Sequence, residues 1–107
     1  MPTYEHYLDY IDKLCGDDNV FKKKMVAIIK KELPLEIDVY HKSMEVRDYR
    51  LASEHVHKLK HKIGVLGMTN SYVLAETFEH SLRDGGTENQ AEFESVLETV
   101  KVFIDQL

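Results

Sequence analysis

An all-α fold, an antiparallel up-down four-helix bundle with a short extra helix at its N-terminus, is what this sequence predicts. Apolar residues recur at helical spacing almost throughout the 107 residues. Only two prolines and five glycines punctuate the chain, and strand-like alternation is nowhere sustained. Hydrophobic residues make up 43% and charged residues 31%, a balance that lets residues 1–107 bury one core as a single domain.

The elements follow in order. Thr3 to Leu14 reads as the short leading helix, with Tyr4, Tyr7, Leu8 and Ile11 at helical spacing and Gly16 as its stop. Asp17, Asp18 and Asn19 offer capping side chains to a long helix. That helix carries Phe21, Met25, Ile28, Ile29 and Leu33 on one face. Pro34 removes one backbone donor, yet the stripe resumes in register at Ile37, Tyr40 and Met44. A kink within one helix is expected, with two shorter helices as the alternative. After a turn at Arg47, Asp48 caps a third helix that runs to about Gly67. Thr69 or Asn70 caps a fourth, with Leu74, Ala75, Phe78 and Leu82 inward, and Asp84-Gly85-Gly86 ends it. Thr87 and Gln90 have the spacing of a capping box before a last helix that buries Phe93, Val96, Leu97, Val100, Phe103, Ile104 and Leu107. Short turns between long amphipathic helices favour antiparallel neighbours.

The net charge of −5 argues against nucleic acid as a partner, and the short run Lys22-Lys23-Lys24 reads as a solvated helix face. Cys15 is the single cysteine, which excludes an intramolecular disulfide and a cysteine-rich zinc site. The opening residues, Met1 to His6, lack the apolar stretch of a signal peptide, and no run reaches the length of a membrane span. No membrane association, a cytoplasmic location and a monomer are the expectations.

The chemistry concentrates on the third helix. Its seam of Ala52, Val56, Leu59, Ile63 and Leu66 falls within about 40° of one direction on a helical wheel. His57 lies about 140° from that direction, His61 about 180°, Gly64 about 120° and Lys60 about 80°. His57 is therefore expected outside the core. Gly64 costs the helix roughly 1 kcal/mol relative to alanine. A glycine two turns from an outward histidine suggests cleared space into which a second protein could bring a reactive group. A neutral imidazole is a competent nucleophile toward phosphorus, and Lys60, one turn along, could stabilise the charge of the adduct. The chain has no glycine-rich phosphate loop and no Walker-type lysine, so a phosphoryl group must come from other proteins and leave to them.

His57, Leu59, Lys60 and Gly67 resemble the signature of histidine-containing phosphotransfer (HPt) domains, of the stand-alone bacterial kind. In that signature leucine, lysine and glycine follow the acceptor histidine at +2, +3 and +10. The small residue at +7 is here Gly64. Arg47-Asp48-Tyr49 is similar to the turn before the family's acceptor helix, and Leu74 to Glu79 is similar to its next helix. The resemblance covers about residues 17–107. It implies a phosphocarrier without catalytic activity of its own, with His57 as phosphoacceptor. It implies Lys60 as the residue that stabilises phosphoryl charge, Leu59 and Gly67 as structural positions, and Lys58, His61 and Gly64 on the docking face. The implied partners are receiver domains of response regulators and hybrid histidine kinases. Any Mg²⁺ would be held by the receiver, so no cofactor or metal is expected on this chain. The family usually has glycine at +4, where this chain carries His61.

Two other readings use the same residues. One is a helical interaction module that presents this face without phosphorylation. The other is a metal-binding bundle in which His57 and His61, at i and i+4, act with Glu54. Glu76, Glu79, Glu94 and Glu98 lack the repeated Glu-x-x-His pairs of a carboxylate metal bundle.

Overall fold

The computed structural model describes residues 19–106, which form four helices: α1 (Asn19–Glu45), α2 (Tyr49–Val65), α3 (Thr69–Arg83) and α4 (Gln90–Asp105). The leading helix expected over residues 3–14 lies outside the described residues. No strand occurs among the described residues, and the architecture is an all-α four-helix bundle. Each helix packs on its neighbour in the chain, and α1 also packs on α4, which closes the bundle. The α2–α3 pairing is the most extensive. None of these helices is long and apolar enough to cross a membrane.

The seam read from sequence is the core. Ala52, Val56, Leu59 and Ile63 of α2 and Leu66 just after it are fully buried, as are Ala75 and Phe78 of α3, with Leu82 nearly so. From α1 come Ile29, Leu33, Ile37 and Tyr40, and from α4 Phe93, Leu97, Val100, Phe103 and Ile104. Pro34 lies inside α1 without dividing it. The Tyr40 ring meets Phe78 and Phe93 edge-on at centroid separations of 6.2 and 5.5 Å, a geometry that aromatic quadrupoles favour. Its buried hydroxyl donates to Glu94 Oε2 at 3.0 Å. Burial and the neighbouring Glu94 carboxylate both push the Tyr40 phenol far above its ordinary value.

The expected stripe on α1 is broader than the face that becomes buried. Phe21 and Ile28 are 51% and 53% exposed, whereas Met25 and Met44 are partly buried against the core.

Three helices end in the same way. After α2, Gly67 takes φ 79°, its N–H bonds the Gly64 carbonyl, and the Met68 N–H bonds the Ile63 carbonyl. This is a Schellman motif, and the buried Met68 side chain completes it. Gly85 and Gly86 close α3 with the same pair of bonds, to Leu82 and Ser81. Arg47 and Asp48 close α1 likewise, although Arg47 must adopt φ 60° with a full side chain. Gly67 is therefore a chain-reversal residue.

Two helix starts differ from expectation. Asp48 does cap α2, since its Oδ1 accepts from the Leu51 N–H at 3.1 Å. The helix after it begins at Thr69 with Met68 as N-cap, so neither Thr69 nor Asn70 caps it. The Thr87–Gln90 capping box does not form: α4 starts at Gln90, whose amide turns forward to Glu94 at 2.9 Å. Asn89, in the left-handed region at φ 71°, is the N-cap instead, and the chain has not yet entered the helix at Thr87.

Candidate functional site

The α2–α3 hairpin reverses near Met68. Both arms rise about 1.5 Å per residue, so positions equally distant from Met68 stand opposite one another. Gly64 and Tyr72, four residues either side, form one such pair; His57 and Glu79, eleven residues either side, form another. Seven residues, close to two full turns, separate the two pairs on each helix, so they share one face of the hairpin.

Glu79 is the centre of the site. It is 1% exposed, on the inward side of α3. Its Oε2 lies 3.0 Å from His57 Nδ1 and also meets the Arg83 guanidinium one turn along. Its Oε1 lies 3.0 Å from Lys60 Nζ. Burial pushes this carboxyl up. The Lys60 ammonium, the His57 ring and the Arg83 guanidinium together outweigh burial and hold it below the ordinary carboxylate value. Glu79 is therefore an ionised, buried acceptor.

An ionised carboxylate only accepts hydrogen bonds, so the His57 nitrogen facing it must carry the proton. In the neutral ring the lone pair then sits on Nε2. The His57 side chain is 46% exposed, so the histidine stands outside the core as the wheel predicts. His61 Nε2 lies 3.1 Å from His57 Nε2, and the two rings meet edge to face at 85°. With the His57 lone pair on Nε2, His61 is the donor in that contact.

Lys60 is turned toward α3 and not toward solvent. Only 9% of its side chain is exposed, and its ammonium is engaged by Glu79. It also lies 5.6 Å from the centroid of the Tyr72 ring, within cation–π range. The wheel places Lys60 on the flank of the seam, and that flank is covered by α3.

The cleared space expected at Gly64 is also corrected. A Cβ there would lie 3.0 Å from Tyr72 Cδ2. The missing side chain admits the Tyr72 ring, and the glycine serves the close approach of α3 to α2. Gly64 remains partly exposed at the edge of the site, while Lys58 and His61 are exposed and Leu59 is core. On its other side His61 borders a shallow apolar groove between α1 and α2, lined by Met25, Ile28, Ile29 and Val65. Lys62 ties the edge of that groove to α1 through Glu36 at 3.0 Å.

The residue that sequence reasoning missed is Glu79, with Arg83 behind it. A signal was present. Glu79 lies about 40° from Ala75 on the wheel, beside the stripe formed with Phe78 and Leu82. An acid at a core position demands a partner. Glu54, considered as a third metal ligand, does not join the two histidines: among the described residues no group of three His, Cys, Asp or Glu side chains is placed to hold a metal. Compared with known proteins, the chain matches no family model, no curated protein and no solved structure.

Proposed function

We propose that this chain is a phosphorelay carrier in two-component signalling, with His57 as the phosphoacceptor. The observation that carries the reading is the 3.0 Å contact between His57 Nδ1 and the buried Glu79 carboxylate. It leaves a lone pair on Nε2, the nitrogen that does not face the core.

In the proposed step the His57 Nε2 lone pair attacks the phosphorus of an aspartyl phosphate on a receiver domain. The N–P bond forms, the P–O bond to the aspartate breaks, and its electron pair leaves as the aspartate carboxylate. The ring keeps its Nδ1 proton and becomes cationic. Glu79 faces that proton and offsets the new charge, as a carboxylate oriented on histidine does in acyl transfer. Transfer onward reverses these changes. Lys60 acts through Glu79, keeping the carboxylate ionised. His61 must swing away from Nε2 to admit the phosphoryl group, and its N–H can then bond a phosphoryl oxygen.

Lys58, His61 and the edge at Gly64 form the docking face for receiver domains of response regulators or of hybrid kinases. Mg²⁺ belongs to the receiver in this scheme, and the chain works as a cytoplasmic monomer with no catalytic activity of its own.

The test is incubation with a panel of phosphorylated receiver domains, followed by acid-lability analysis and site mapping. An acid-labile, alkali-stable adduct on His57 that is lost in His57→Gln, with helical content kept, is the expected result. Undiminished labelling of His57→Gln overturns the assignment. A partner that binds His57→Gln as well as wild type, with no labelling of either, favours the interaction-module reading.

A further inference from the structure

We infer that His57 and His61 together form a reversible site for a divalent zinc-class ion, one that occupies the acceptor nitrogen and so competes with phosphorylation. The site itself stands on geometry alone; its inhibitory consequence rests on the phosphocarrier reading above.

Tetrahedral Zn²⁺ with Zn–N bonds of about 2.0–2.1 Å holds two imidazole nitrogens roughly 3.3 Å apart. The two Nε2 atoms here lie 3.1 Å apart. Both belong to one helix at i and i+4, so the backbone sets their spacing before any ion arrives. Both side chains are accessible: His61 is exposed, and the His57 side chain is 46% exposed.

The His57 ring has the electronic arrangement of a metal ligand. Zinc-binding histidines commonly donate their other N–H to a carboxylate, which fixes the tautomer and raises the basicity of the coordinating nitrogen. Glu79 Oε2, 3.0 Å from Nδ1, stands in that place. His61 has to change tautomer. Its proton moves from Nε2 to Nδ1 through solvent, with no net change in charge, and its exposed ring turns its lone pair toward the ion. The N–H···N contact between the rings is exchanged for two N–Zn bonds, and the ion sheds its hydration shell down to the waters that complete a tetrahedron.

No third His, Cys, Asp or Glu joins the pair among the described residues. The remaining coordination positions therefore go to water, the pattern of an exchangeable site rather than a structural one. A bound ion uses the same Nε2 lone pair that attacks phosphorus, so metal and phosphoryl group exclude one another. The usual glycine at +4 cannot supply this second ligand; His61 does.

The test titrates ZnCl₂ into the untagged full chain at neutral pH and follows the side-chain nitrogens of all six histidines by two-dimensional NMR. The expected result is joint movement of His57 Nε2 and His61 Nε2, saturating at one ion, with affinity at least about tenfold lower in His61→Ala. In parallel, Zn²⁺ should lower phosphoryl uptake by wild type, relative to its own zinc-free rate, by a larger factor than it lowers uptake by His61→Ala relative to that variant's own zinc-free rate; the shared receiver controls for zinc acting on the receiver. If the His57 and His61 resonances stay still in wild type, or the His57 resonance moves equally in His61→Ala, or only other histidines respond, the site is refuted. If no uptake is seen even without zinc, the phosphocarrier reading fails, while the titration still decides the metal site.

Discussion

His57 Nδ1 lies 3.0 Å from Glu79 Oε2, and the two residues stand eleven positions either side of Met68. The contact is a consequence of hairpin register. Gly67 fixes where α2 ends, the Schellman motif fixes how the chain reverses, and Gly64 lets α3 come close enough over Tyr72. Glu79 then arrives beneath the imidazole, and Lys60 and Arg83 keep it charged.

Glu79→Gln should separate the role of this carboxylate from that of the bundle. The substitution leaves the buried Lys60 ammonium without its partner, a loss of about 3 kcal/mol by analogy with other broken buried pairs. A urea titration measures that loss, and helical circular dichroism should persist. In the same variant the His57 ring should no longer be held with its proton on Nδ1. Nitrogen NMR should then show a mixed tautomer population, and phosphoryl uptake should fall by about 10- to 100-fold, the range for loss of a carboxylate that orients a functional histidine. A wild-type tautomer ratio would mean that Glu79 is structural only.

Acid should weaken the fold partly through the same residue. Glu79 is held below the ordinary carboxyl value of 4.5 in the folded chain, while the unfolded chain keeps the ordinary value. Its stabilisation is therefore fully present above that value and is lost as pH falls through the lower folded-state one. Urea midpoints measured between about pH 6 and pH 3 should fall more steeply for wild type than for Glu79→Gln. Parallel curves would show that other carboxylates account for the acid sensitivity.

Gly64→Ala opposes two effects. Alanine favours the helix by about 1 kcal/mol, but its Cβ would meet Tyr72 Cδ2 at 3.0 Å. The Tyr72 ring packs against the core and lies beside the Lys60 ammonium, so it cannot swing clear freely. Overpacking typically costs about 1–3 kcal/mol, so a net destabilisation of about 1 kcal/mol is expected. In a Tyr72→Ala background the sign should reverse, and a thermal double-mutant cycle reads the coupling. Equal effects in both backgrounds would show that Tyr72 is not the constraint.

Arg47→Gly should stabilise the protein by about 1 kcal/mol. Arg47 closes α1 at φ 60°, a conformation that is strained for a residue with a Cβ and free for glycine. Its side chain is exposed, so little packing is lost. Chemical denaturation with an unchanged m-value tests this, and a lower midpoint would mean that the arginine side chain supports the turn.

Local sequence was sufficient for the helices and for much of the core. A stripe such as Ala52, Val56, Leu59, Ile63 and Leu66 needs no partner to be recognised, because helical periodicity alone places those residues on one face. The same periodicity was enough to put His57 outside the core, and Gly67 could be recognised as a stop. What each flank residue touches depended on the neighbouring helix. Lys60 and Gly64 sit about 80° and 120° from the seam, angles at which a side chain is exposed or covered according to what packs beside it. Packing of α3 decided that Lys60 binds a buried carboxylate and that the space at Gly64 holds a tyrosine. It also joined His57 to Glu79 across 22 positions of sequence, a contact set by hairpin register and not by the pattern on either helix. The sequence by itself therefore determined that the His57 imidazole stands outside the core. Tertiary packing decided which of its nitrogens is left with the lone pair, because that depends on a charge brought from another helix.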